Sequence, residues 1–132
     1  MGAGPNYVLD KGFVANEAIT QYELVKLVAA TEGAVDMADT ANEQILGVAM
    51  EGATAAEATS GKVIDVRMMG VATCIAGEAI AIGAFVNAKA DGRVKNIASA
   101  AKQKVCGIAL TAAAADGDHI DVWLVHTEVD KS

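Results

Sequence analysis

Proline is almost missing from this chain, with Pro5 the single one in 132 residues, so no part of it is a proline-rich linker. Aromatic residues are nearly as scarce. Two Phe, two Tyr and one Trp are too few and too scattered for the concave aromatic platform of a sugar-binding module. The two histidines, His119 and His126, are seven apart on one expected strand, which points them to opposite faces and rules out a joint metal site. Cys74 and Cys106 have no C-x-x-C spacing and read as buried free thiols, not as zinc ligands. The chain has no G-x-S-x-G and no G-x-G-x-x-G, the usual entries to hydrolase and dinucleotide chemistry. Gly61-Lys62 fails as a phosphate loop twice, with Ala56 at the required glycine and Val63 at the required Ser or Thr. These absences predict a protein that is not an enzyme and carries no cofactor and no metal.

Long apolar runs are missing too. There is no stretch of 18 uncharged apolar residues, and Met1-Gly2-Ala3-Gly4-Pro5-Asn6 has neither a basic nor an apolar leader region, so no membrane or export address is expected. A lipoyl-type or biotinyl-type carrier needs a lysine at a hairpin tip, and the nearest approach is Arg67-Met68-Met69-Gly70. Positive charge is in deficit: 10 basic against 17 acidic residues give −7, which disfavours a nucleic-acid partner.

What is abundant is small and apolar. Hydrophobic residues are 53% of the chain, 28 of its residues are Ala and 15 are Val, which predicts one compact domain with a thin, small-residue core. The sequence also repeats itself. Glu17-Ala18-Ile19 with Val25 recurs as Glu78-Ala79-Ile80 with Val86; Ile45-Leu46-Gly47-Val48-Ala49-Met50 recurs as Val105-Cys106-Gly107-Ile108-Ala109-Leu110. Gly61-Lys62-Val63-Ile64-Asp65-Val66 then recurs as Gly117-Asp118-His119-Ile120-Asp121-Val122. Three ordered blocks at offsets of 61, 60 and 56 predict a duplication.

Alternation makes the repeats β. Over Val63–Met69, Ile64, Val66 and Met68 share one face; over His119–Val125, Ile120, Val122 and Leu124 do, and each strand presents an acid, Asp65 or Asp121, on the other face. Tyr22–Ala29 and Gly70–Ile75 also read as strands, and Ala90-Asp91-Gly92-Arg93 as a hairpin turn. Short helical turns are expected in Ala38–Gln44, where Thr40-x-x-Glu43 fits a capping box, and in Ile97–Lys104. Ala53–Ala58 and Ala112–Ala115 read as connections. Trp123 shares the polar face of His119 and Asp121, so it is either core to a second sheet or an interface anchor. The chain divides into an N-terminal arm and first strand (1–17), two pseudo-repeats (18–70 and 71–127) and a tail (128–132) within one domain.

The succession Ile45-Leu46-Gly47-Val48-Ala49, Ala55-Ala56, Gly61-Lys62-Val63-Ile64-Asp65-Val66 and Gly70-Val71-Ala72 resembles the bacteriophage capsid cement, or head decoration, family. So does its continuation through Ala76-Gly77-Glu78-Ala79-Ile80, Gly83-Ala84-Phe85-Val86, Asp91-Gly92-Arg93-Val94, Val105-Cys106-Gly107-Ile108-Ala109-Leu110 and Ala112–Asp118. The likeness runs from Tyr7 to Leu124, and its weight lies in the order of many weak marks. Only the stretch Glu32–Gln44 departs, being longer and more acidic than the family's connections. The resemblance implies an all-β, mainly antiparallel fold, a small barrel or β-tulip. It also implies a non-enzymatic virion protein, made in the host cytoplasm, that binds the capsid exterior as a homotrimer and clamps the major capsid protein. A small sugar- or ligand-binding β-module is the alternative.

Charge is distributed unevenly between the repeats. Residues 1–66 carry 3 basic and 10 acidic side chains, 3 − 10 = −7, while residues 67–132 carry seven of each. Glu32, Asp36, Asp39 and Glu43 populate the first connector; Lys89, Arg93, Lys95, Lys102 and Lys104 populate the second. Opposite signs at equivalent places read either as two solvated loops whose charge has drifted or as a head-to-tail contact between subunits that closes as a cyclic trimer. Tyr7, on an N-terminal arm, and Trp123 are the expected capsid contacts.

Overall fold

The computed structural model describes residues 7–131. It holds nine strands, β1 (Leu9–Ala15), β2 (Leu24–Leu27), β3 (Ala34–Met37), β4 (Gly47–Ala49), β5 (Val63–Ile75), β6 (Phe85–Ala88), β7 (Val94–Asn96), β8 (Gln103–Ala109) and β9 (His119–Val129), and one short helix, α1 (Ala55–Thr59). The fold is all-β, as the alternation predicts. All pairings are antiparallel except the parallel β1·β3 pair and a parallel bridge between Ala76 and Val94.

The strands form two barrels that share β5. In the first, β1 pairs with β3, β3 with β2, β2 with β4, β4 with the first half of β5, and β5 with β1 again, so five strands close a cycle without a free edge. The second half of β5 pairs with β9, β9 with β8, β8 with β6 and β6 with β7, and the Ala76–Val94 bridge completes the ring. Each pairing of the first barrel has its counterpart in the second, with β1 playing the part that Gly70–Ile75 plays later. Because β5 runs unbroken through both, no linker separates them.

The hydrogen bonds repeat as well. Ile19 bridges Ala53 as Ile80 bridges Ala113. Glu17 accepts the Met37 N–H as Glu78 accepts that of Asn96, so the glutamate shared by the repeats ties the strand entry to the end of β3 or β7. Tyr22 stands at φ 75 where its counterpart Gly83 has φ 85, and each donates to the carbonyl of the equivalent alanine, Ala49 or Ala109. A tyrosine thus occupies a left-handed position that favours glycine.

The first barrel is filled by Phe13, Val25, Val35, Ala49, Ile64 and Val66. A second cluster fills the other barrel with Cys74, Val86, Val94, Ala109, Ile120 and Val122, and it extends to Leu24, Ile45 and Val48. Those three belong to the first half. They point out of the first barrel and are buried beneath the second.

The helix is not where the capping pattern at Thr40 predicts it. Thr54 caps α1, its hydroxyl accepting the Glu57 N–H while the Glu57 carboxylate accepts the Thr54 N–H, a complete capping box followed by alanines that propagate a turn. Glu43 does accept the N–H groups of Asp39 and Thr40, but Asn42 then takes φ 60 and the chain turns instead of coiling. The stretch 97–104 is likewise bends leading into β8. Thr54→Ala is expected to lower stability by about 1 kcal/mol, measured by urea denaturation; no change would mean that α1 contributes nothing to the fold.

Candidate interaction surface

No group of three or more His, Cys, Asp or Glu among the described residues is placed to hold a metal ion, and no helix there is long and apolar enough to cross a membrane. His119 and His126 are both exposed on β9, and the His119 ring stands edge-on to Tyr22 with centroids 5.5 Å apart. Both cysteines are free and buried. Burial pushes the Cys74 thiol well above its usual range and that of Cys106 to about 12. Neither is a nucleophile. Iodoacetamide at pH 8 is expected to modify neither thiol in the folded protein and both in denaturant; native-state labelling would show that the second barrel opens.

The features that distinguish the molecule's surface are its outward rows. In the first barrel, register aligns Leu24, Val48, Arg67 and Asp10 across four strands. Leu24 and Val48 are fully buried, and the Arg67 guanidinium grips Asp10 through two bonds of 2.9 and 3.1 Å. The corresponding row in the second barrel is Phe85, Ile108, Trp123 and Val71. Here an ion pair has become a tryptophan and a valine. Phe85 is 41% and Trp123 50% exposed, with Ile82 and Leu110 exposed nearby in sequence. Trp123 therefore points out of the barrel, and the reading of it as core to a second sheet is corrected. A row built like an interior faces outward.

The first row is covered because the β6–β7 turn lies on it. The Leu24 N–H donates to the Gly92 carbonyl at 2.8 Å, and a Cβ on Gly92 would lie 2.8 Å from Met37 Cγ and 3.1 Å from Glu23 Cβ. This proximity raises the Glu23 pKa, through burial first and then Asp91, against the opposing Thr20 N–H and Arg93. Asn42 Oδ1 accepts the Lys104 N–H and Asn87 Nδ2 donates to the Glu43 carbonyl, so the two charged connectors also meet inside one chain.

That meeting consumes much of the charge singled out from the sequence. Lys26 binds Asp39 at 2.6 Å and Glu43 at 3.4 Å, Asp36 accepts from Asn16, the Lys89 ammonium donates to the Gly77 carbonyl, and Arg93 pairs with Asp116 and Asp91. Glu32, Lys95, Lys102 and Lys104 form no ion pair among the described residues. Tyr7 is 84% exposed, and its carbonyl lies 2.6 Å from where a Cβ on Gly70 would be, at the middle of β5 and next to Val71, which pairs with Trp123. The rest of the arm, residues 1–6, falls outside the described residues.

A groove of about 930 Å³ lies between the halves, lined among others by Leu9, Leu27, Met69, Asn87, His126 and Glu128. Sequence reasoning missed it, because it is assembled from segments more than 100 positions apart.

Comparison with known proteins supplies the rest. The family model described as phage cement protein matches residues 8–124. The chain belongs to the phage cement protein family. No curated protein matches it in sequence. Among solved structures it is similar to the N base of the head fiber gp8.5 in bacteriophage phi29, with a TM-score of 0.69 at 16% identity, over 94% of this chain and 99% of that one. At that identity the likeness concerns the fold. Family membership makes this a phage head-associated structural protein, with the β-barrel architecture the sequence predicts.

Proposed function

We propose that the chain decorates the exterior of an expanded icosahedral phage head and braces neighbouring major capsid protein subunits, acting as a homotrimer. The observation that carries this reading is the outward apolar row of Phe85, Ile108 and Trp123 on a family member of cement type. Water-facing rows of this kind mark protein contacts. A closed double barrel is a stiff spacer between such contacts, and cement needs no more chemistry than that. Whatever binds the assembled shell better than the free subunits shifts the equilibrium toward the shell by mass action. The net charge of −7 keeps the unbound protein dispersed before docking.

Tyr7 supplies a shell contact in this reading, and Trp123 a large aromatic for a partner. Glu32 on the first connector and Lys95, Lys102 and Lys104 on the second are the charges left for a neighbouring copy. The experiment is co-sedimentation of purified protein with undecorated heads before and after expansion. Saturable binding to expanded heads alone supports the proposal. Failure to bind either form would overturn it, and the groove beside Asn87 would then favour a ligand-binding module.

A further inference from the structure

The contact between the barrels is one-sided, and that asymmetry carries an inference about copies of the chain. Gly92, at the tip of the β6–β7 turn, is buried and rests on Glu23, Leu24 and Met37 of the first barrel. Its counterpart Gly33, at the tip of the β2–β3 turn, has the same left-handed geometry, φ 74 against 78, yet is exposed, and a Cβ there would meet nothing within 4 Å. The face that would receive it is likewise uncovered. The counterparts of Glu23, Leu24 and Met37 are Ala84, Phe85 and Asn96, and the Phe85 N–H, unlike that of Leu24, reaches no backbone acceptor beyond its strand ladder among the described residues. Each barrel carries one turn and one receiving face. The chain uses one of each and leaves one of each.

We propose that the spare face of one copy, centred on Phe85, Ile108 and Trp123, receives the spare turn, Val28–Gly33, of a second copy, repeating between chains the contact already made between barrels. The inference rests on the homo-oligomeric part of the function proposed above. Chain geometry selects the occupant: the equivalent face on the first barrel already has its complement in the β6–β7 turn, and among the described residues the β2–β3 turn is the counterpart of that turn left exposed. Charge agrees. Glu32 sits beside Gly33 without an ion pair, on a half with net charge −7, while Lys95 is two residues from Ile97, whose N–H donates to the Phe85 carbonyl, and has no ion pair either. Because turn and face are different surfaces, the contact is heterologous and must close as a ring or extend as a filament.

The decisive measurement is the mass of the free protein by sedimentation, without heads. The wild type is expected above the 13.4 kDa of one chain. Phe85→Glu and Ala30→Arg, on the face and on the turn, are each expected to weaken self-association by about 100-fold, with unchanged circular dichroism. Glu32→Cys with Ala84→Cys gives a covalent readout: under oxidation the double variant should form multimers on a denaturing gel and the single variants should not, since both native thiols are buried. Variants that keep the wild-type mass, together with no crosslink, would sink the inference and leave the homo-oligomer standing. Variants that keep the mass but lose head binding would sink it too, by making the row a shell contact. A wild type of one chain mass at all concentrations would overturn the homo-oligomer as well.

Discussion

One methyl group at Gly47 is expected to cost about 3–5 kcal/mol, a large part of the roughly 5–15 kcal/mol that stabilises a domain. Strand β4 is only three residues long and lies between β2 and β5. A Cβ at Gly47 would collide with the Arg67 carbonyl oxygen and lie 3.1 Å from Val66 Cγ1. The first obstacle is backbone inside a closed barrel, so it has no rotamer by which to retreat. Gly107 repeats the situation, with a Cβ 2.7 Å from the Trp123 carbonyl oxygen and against Val122 Cγ1. Neither glycine is there for its φ. The contrast is Gly117, at φ 94 with nothing within 4 Å, where alanine meets only backbone strain of about 1 kcal/mol. Urea denaturation of G47A, G107A and G117A should therefore separate two severe variants from one mild one. A mild G47A would mean that β4 and β5 can part without loss, and that the barrel is not closed as described.

This is also why the duplication was legible in the sequence. Gly47 and Gly107 match because the same strand crossing recurs, and Glu17 and Glu78 match because each takes the N–H of a residue at the end of a short strand. Alternation alone placed Ile64, Val66, Ile120 and Val122 inside, but it put Trp123 only on the opposite face, and the choice between a second-sheet core and an outward anchor came from its exposure in the fold. The helix was less legible, since Thr40-x-x-Glu43 and Thr54-x-x-Glu57 present the same pattern. Asn42 at a positive φ ended one, while the alanines after Thr54 extended the other. The interaction surface was least legible. Asp39 and Glu43 read as free acids until the fold brings Lys26 to them, and nothing local says that Leu24 is covered while Phe85 is not. That difference arises only when one barrel settles on the other, a contact between residues about 70 positions apart.

Leu24 and Phe85 therefore form a matched pair with opposite expected results. Leu24→Ala removes a fully buried side chain from the seam between barrels and is expected to cost about 3–4 kcal/mol, as large-to-small changes in a packed core do. Phe85→Ala, the larger truncation at the equivalent position, removes a side chain already 41% exposed and is expected to cost the free chain less than about 1.5 kcal/mol, within the scale of partly exposed apolar groups. Volume alone predicts the reverse order. The seam also holds the barrels in one cooperative unit, so thinning it should broaden the transition of Leu24→Ala, its slope with urea falling as the barrels begin to unfold separately. Phe85→Ala should keep the wild-type slope. Equal costs at the two positions would mean that the Phe85 face is already packed within the free chain, and the surface offered to a partner would have to be sought elsewhere. Unequal costs in the expected order would show that duplication has produced two equivalent faces, one used for folding and the other available for assembly.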